Sequence, residues 1–143
     1  MINGIPVRIK TTDDKGVQSV ETFYFATFRK CPELAKYPKE MTKAEKDIKV
    51  LRRKLEIAEE TLANSADEVK CDIAGQQIER LNDEMNAVND RLLDSFRAFV
   101  ETGLKAAGYD DASVERYAAH VDIDRFPELF AKARIGAGAC DFF

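Results

Sequence analysis

The 143-residue chain has a single histidine, His120, and no tryptophan. One imidazole excludes any reaction that needs two within the same chain. The three cysteines, Cys31, Cys71 and Cys140, are an odd set with wide spacing and no C-x-x-C pair. Neither a disulfide framework nor a zinc ribbon is expected, and reduced thiols in a cytoplasm are the plain reading. A basic surplus is also missing: 22 Lys and Arg face 26 Asp and Glu, a net charge of −4. That disfavours a general nucleic-acid binder. No apolar run reaches the roughly 18 residues of a membrane-spanning helix. Residues 1–5 lack the basic-then-apolar order of a signal peptide. Strong helix breakers are scarce in the middle of the chain. No proline falls between Pro38 and Pro127, and Gly75 alone interrupts 17–102.

What remains is 45% hydrophobic and 34% charged. The charged share exceeds the usual quarter, as long exposed helices require. The length allows one domain, or a small domain with an appendage. The fold class expected is α+β, mainly helical, in three segments: 1–41, 42–102 and 103–143.

Residues 1–41 read as a β-hairpin with a short exit segment. Ile5, Val7 and Ile9 alternate with Pro6, Arg8 and Lys10, the period of a strand. Residues 12–16, Thr-Asp-Asp-Lys-Gly, carry turn chemistry. The return run holds Val20, Thr22, Phe23, Tyr24, Phe25 and Phe28. A lone hairpin is marginal in water, so its apolar face must rest on helices or on another copy. A short helical turn over 28–37 is expected to break near Pro32 and again at Pro38.

Residues 42–102 carry the clearest pattern. Thr42 with Glu45 fits a capping box that starts a helix. Ile48, Leu51, Leu55, Ala58 and Leu62 follow spacings of 3 and 4, and Ile78, Leu81, Met85, Val88 and Leu92 repeat them. These are coiled-coil seams. Ser65 with Glu68 offers a second capping box where the phase slips, favouring two helices folded back over one long helix. The charges agree: 43–54 hold six basic and two acidic residues, 55–102 four basic and twelve acidic. A turn near 64 sets Lys46 to Lys54 alongside Glu79, Asp83 and Glu84. The middle is therefore predicted as an antiparallel helical hairpin.

Residues 103–143 read as two short helices and a tail. Gly103 and Gly108 loosen the end of the long helix, although Leu104, Ala106 and Ala107 could continue it. Asp110 or Asp111 caps a helix with Val114, Tyr117, Ala118 and Val121 on one face. Asp122 or Asp124 caps another, striped by Phe126, Leu129, Phe130 and Ala133, with Pro127 in its first turn. The end, Gly136 to Phe143, is rich in glycine and is expected to form a flexible tail.

No catalytic set emerges. His120 reads as a helix-end residue and Asp122 and Asp124 as caps. The cysteines have no imidazole neighbour close in sequence and read as buried or incidental thiols. No enzyme activity, cofactor or metal is expected. The Phe23, Tyr24, Phe25 and Phe28 cluster reads as core ahead of a contact platform, and Phe142 and Phe143 either tuck into a groove or bind something. The residues expected to contact partners, if any do, are Phe23, Phe25 and Phe28 on the hairpin, then Phe126, Phe130, Phe142 and Phe143. The partners expected are proteins, with self-association, and neither nucleic acid nor membrane.

One layout ties these parts together. A hairpin from Ile2-Asn3-Gly4-Ile5 to Phe25 leads to helices ending in Leu104-Lys105-Ala106-Ala107-Gly108-Tyr109. A small helical end with Asp124-Arg125-Phe126-Pro127-Glu128-Leu129-Phe130 follows. This resembles the tail assembly chaperones of long-tailed bacteriophages, over 1–37 and 93–135. The central hairpin is longer than that family leads one to expect. The resemblance implies a cytoplasmic, non-enzymatic factor that coats the tape-measure protein and helps recruit tail-tube subunits. Two other classes compete: a small viral or mobile-element adaptor or inhibitor docking on a host protein, and a structural virion component.

Overall fold

The computed structural model describes residues 4–142. Two strands, β1 (Ile5–Thr12) and β2 (Gln18–Phe25), are followed by a 3-10 turn (Pro32–Ala35) and α1 (Lys36–Asn64). Next come α2 (Glu68–Ala107), α3 (Asp111–Ala118), α4 (Phe126–Ile135) and a third strand, β3 (Cys140–Phe142). The α+β, mainly helical expectation holds. The chain divides into two units: Met1–Pro38 with Ser95–Phe143, and Lys39–Asp94. The two ends thus share one unit.

In the first unit, β1 pairs antiparallel with β2, Ile5 opposite Phe25 and Val7 opposite Phe23. The alternation read from the sequence sends Ile5, Val7, Ile9, Phe23 and Phe25 inward, each at most 2% exposed. Each such side chain contributes roughly 1.5–3 kcal/mol by leaving water. Asp13 builds the connecting turn, its Oδ1 accepting from the N–H groups of Lys15 and Val17 at 2.9 and 2.8 Å.

The expected flexible tail is instead a strand. β3 lies parallel to β1, with Cys140 opposite Val7 and Phe142 opposite Ile9, giving the order β2-β1-β3. Gly136 ends α4 in the left-handed region at φ 79°, which turns the chain toward the sheet. Arg8 then donates to both carboxylate oxygens of Asp141, at 2.6 and 2.9 Å. This fork is half exposed and worth under about 1 kcal/mol, so its effect is on register rather than stability.

Several sequence-level boundaries need correction. α1 begins at Lys36, ahead of the Thr42–Glu45 box, and Pro38 falls inside its first turn. A helix's first N–H groups have no intrahelical acceptor, so a proline there costs nothing. Of the two readings of the helix end, the continuing one holds: α2 runs through Gly103 and Leu104 to Ala107. A Cβ on Gly103 would lie 2.1 Å from Cζ of Phe25, so the glycine leaves room for the ring. Asp110 caps α3, accepting from the Ser113 N–H at 2.8 Å. That bond holds its carboxyl below the ordinary range. Neither Asp122 nor Asp124 caps α4, whose N-cap is Arg125; a 3-10 turn (Ile123–Arg125) leads into it.

The second unit is the helical arm. Asp67, rather than Ser65, caps α2: its Oδ1 accepts from the Val69 N–H at 2.9 Å. Ser65 Oγ instead accepts from the Asp67 N–H at 3.2 Å, closing the turn. The helices are antiparallel: Asp47 meets Arg91 at 3.8 Å, while Cys71 Sγ reaches the Ser65 carbonyl at the turn. Leu51, Ala58, Ala74, Val88 and Leu92 are buried along the seams, and Leu62 near the tip is 43% exposed.

Candidate functional site

The seven aromatic residues singled out in the sequence are mostly core. Phe23 and Phe25 are fully buried and Phe142 is 8% exposed. Phe23 stacks on Tyr117 at 4.9 Å between centroids, and Phe25 packs on Phe99 at 5.2 Å. Phe28, Phe126 and Phe130 are half-buried in a continuous ring cluster. Phe28 meets Phe130 edge-on at 5.6 Å, Phe126 stacks on Phe130 at 5.5 Å, and Phe99 joins them. Phe23, Phe25 and Phe142 are thus interior to one unit, while Phe28, Phe126 and Phe130 pack on one another and keep part of their surface open. Apolar rings released from water drive this packing, and edge-on or offset geometry adds to it. Phe143 lies outside the described residues.

The outer edge of β2 is covered as well. The Tyr24 N–H donates to the Tyr109 hydroxyl at 2.9 Å, and Tyr117 and Arg116 both donate to Glu21. Burial pushes the Tyr109 and Tyr117 phenols up, and the Glu21 bond raises Tyr117 further. α3 thereby occupies an edge that would otherwise pair with another strand.

His120 is exposed just beyond α3, its N–H donating to the Tyr117 carbonyl. Cys140 is buried among apolar groups, which pushes its thiol up to about 11. That is the chemistry of an inert thiol at neutral pH. Among the described residues no group of three His, Cys, Asp or Glu side chains is placed to hold a metal ion. No helix among them is long and apolar enough to cross a membrane.

The open surface that carries recognition chemistry is on the arm. One side of the helix pair is polar along most of its length, with Glu45, Lys49, Arg52, Glu56 and Glu59 on α1 and Glu79, Asn82, Asn86 and Asn89 on α2, all exposed; Leu93, 39% exposed, is the apolar exception at the end of the α2 row. The other side is a groove with two adjoining depressions. One, of about 440 Å³, is lined by Asp47, Val50, Leu51, Glu84, Ala87, Val88 and Arg91. The second, of about 320 Å³, is lined by Lys54, Ile57, Ala58, Thr61, Gln77, Arg80 and Leu81. The linings step by 3 and 4 residues along both helices, so they form one face.

Val50 and Ile57 stand 55% and 57% exposed on that face. Each sits one position before a seam residue, Leu51 and Ala58, and so broadens the apolar stripe past what two helices cover. Sequence reasoning passed over them because it followed the strict seam. The signal was present: two β-branched residues beside the seam, seven apart. Further along, Ile73 on α2 repeats the position before Ala74 and is 51% exposed.

The expected pairing of Lys46 to Lys54 with Glu79, Asp83 and Glu84 does not form. Among the described residues the ion pair across the arm is Asp47–Arg91, with the acid on α1. Two neighbouring helices lying about 10 Å apart separate most flanking charges by more than an ion-pair distance. Those charges are left facing water. Set beside known proteins, the chain matches no family model, no curated protein and no solved structure.

Proposed function

We propose that this protein is a non-enzymatic protein–protein interaction factor, most specifically a tail assembly chaperone of a long-tailed bacteriophage. In that role it binds the tape-measure protein, helps recruit tail-tube subunits, and works in the cytoplasm of the bacterial host. The observation that carries the interaction reading is the one-sided arm. Its polar face suits water, whereas Val50, Ile57 and Ile73 expose apolar surface that a protein partner would bury. The chaperone assignment itself rests on the layout of hairpin, helix end and small helical end.

Co-purification from the native host followed by mass spectrometry tests it. Recovery of a tape-measure protein is the expected result. Recovery of a host defence or metabolic protein in its place would refute the chaperone and favour the adaptor. Presence in purified particles would favour the virion component.

A further inference from the structure

We infer that the groove of the arm is a homodimer interface, in which a second copy of this chain lays its own groove face to face with the arms parallel. The inference deepens the interaction reading by naming what covers this face. It rests on the distribution of charge as well as on the apolar floor.

The groove has walls of opposite sign. On the α1 side, Lys43, Lys46 and Arg53 lie one row out from Asp47, Val50, Lys54 and Ile57 by helical spacing. On the α2 side the corresponding outer row is Asp83, Asp90 and Asp94, while the lining itself holds Glu84 together with Arg80 and Arg91. Apart from Asp47 and Arg91, which pair with each other, none of these charged groups forms an ion pair among the described residues. A basic wall and an acidic wall therefore flank an apolar floor of Val50, Leu51, Ile57, Ala58, Leu81 and Val88.

Two face-to-face dimers of such a groove are possible with two-fold symmetry. With the axis across the arm, the arms run oppositely and α1 lies on α1 of the partner, basic on basic. With the axis along the arm, the arms run parallel and α1 lies on the partner's α2. Only the second places unlike walls together. It also matches levels: because Asp47 is level with Arg91, Lys54 comes level with Glu84, and Arg53 with Asp83 and Lys46 with Asp90 fall within two residues, about 3 Å along the axis. The sign exceptions match as closely, since Glu60 falls within two residues of the level of Arg80. All helix neighbours are then antiparallel, the ordinary arrangement of a four-helix bundle. A lone partner helix would cover the floor but would need both signs, one along each flank. A second copy supplies both. The charges set orientation and partner, while the apolar floor supplies the attraction.

The test uses the full chain and sedimentation velocity. The wild type is expected at twice the 16.1 kDa chain mass. One variant carries Arg53→Glu and Lys54→Glu, the other Asp83→Lys and Glu84→Lys. Each alone sets like charges against like and is expected to dissociate, with affinity weakened on the order of a hundredfold. Mixing the two restores unlike walls throughout and is expected to restore the dimer. That recovery also shows that both variants are folded. A monomeric wild type, or a first variant as dimeric as the wild type, overturns the inference. The two readings fail separately: a monomer that still captures a tape-measure protein sinks only the dimer. A dimer that captures none sinks only the chaperone.

Discussion

Replacing Gly103 with alanine sets two effects of opposite sign against each other. Gly103 is inside α2, where alanine is the better helix former by about 1 kcal/mol. From helix propensity alone, Gly103→Ala stabilises. The packing says otherwise. The added methyl would lie 2.1, 2.3 and 2.6 Å from three ring carbons of Phe25, where carbon contacts need about 3.5–4.0 Å. The ring has no free direction. It is fully buried, lies against Phe99, and belongs to a strand whose next residue, Ala26, donates its N–H to the Gly103 carbonyl at 3.2 Å. Overpacking of this kind costs about 1–3 kcal/mol, and the geometry places it at the upper end. The net expectation is a loss of about 2 kcal/mol, read by urea denaturation followed by far-UV circular dichroism. Phe25→Leu in the same chain is expected to recover part of the loss, because the smaller side chain vacates the clash. A gain of about 1 kcal/mol from Gly103→Ala would show that helix propensity governs the position and that Phe25 does not lie on the glycine.

Three further predictions follow from the same packing. Phe142→Ala is expected to cost about 3 kcal/mol in the same denaturation assay, as loss of a buried ring does; an unchanged midpoint would return Phe142 to the surface. Asp67→Ala is expected to cost about 1 kcal/mol and to speed amide exchange at Val69 and Lys70, with Ser65→Ala milder; the reverse order would restore the Ser65 box. Burial raises the Cys140 thiol from 9.0 to about 11, so the unfolded chain ionises first. Stability is then full below pH 9 and falls as pH rises toward 11, by no more than about 2–3 kcal/mol. Cys140→Ala should flatten that slope relative to the wild type, and an identical slope would assign it to other groups such as Tyr109 and Tyr117.

How far the sequence reaches depends on whether a feature is local. The alternation of Ile5, Val7 and Ile9, the Asp13 turn and the Asp110 cap involve neighbours in the chain, and each is where local chemistry puts it. The seams from Ile48 and from Ile78 likewise report their own helices. The misread features answer to distant residues. Gly103 looks like a breaker until Phe25 is placed on it. Cys140–Phe142 is too short to announce a strand, and acquires one from β1, some 130 positions earlier. The aromatic residues look like contact points in sequence because nothing local says what covers them; Phe99, Tyr117 and each other do. Val50 and Ile57 were legible by position, yet their meaning depends on α2 leaving that face open.

Isotope-mixed cross-linking reads directly what lies across the arm's groove. Light and heavy chains are mixed, treated with a zero-length amine–carboxylate cross-linker, and digested for mass spectrometry. The parallel dimer predicts links between chains joining Lys54 to Glu84 or Lys46 to Asp90. Links only within single chains would contradict it, as would interchain links gathered on the strands and α4 with none on the arm.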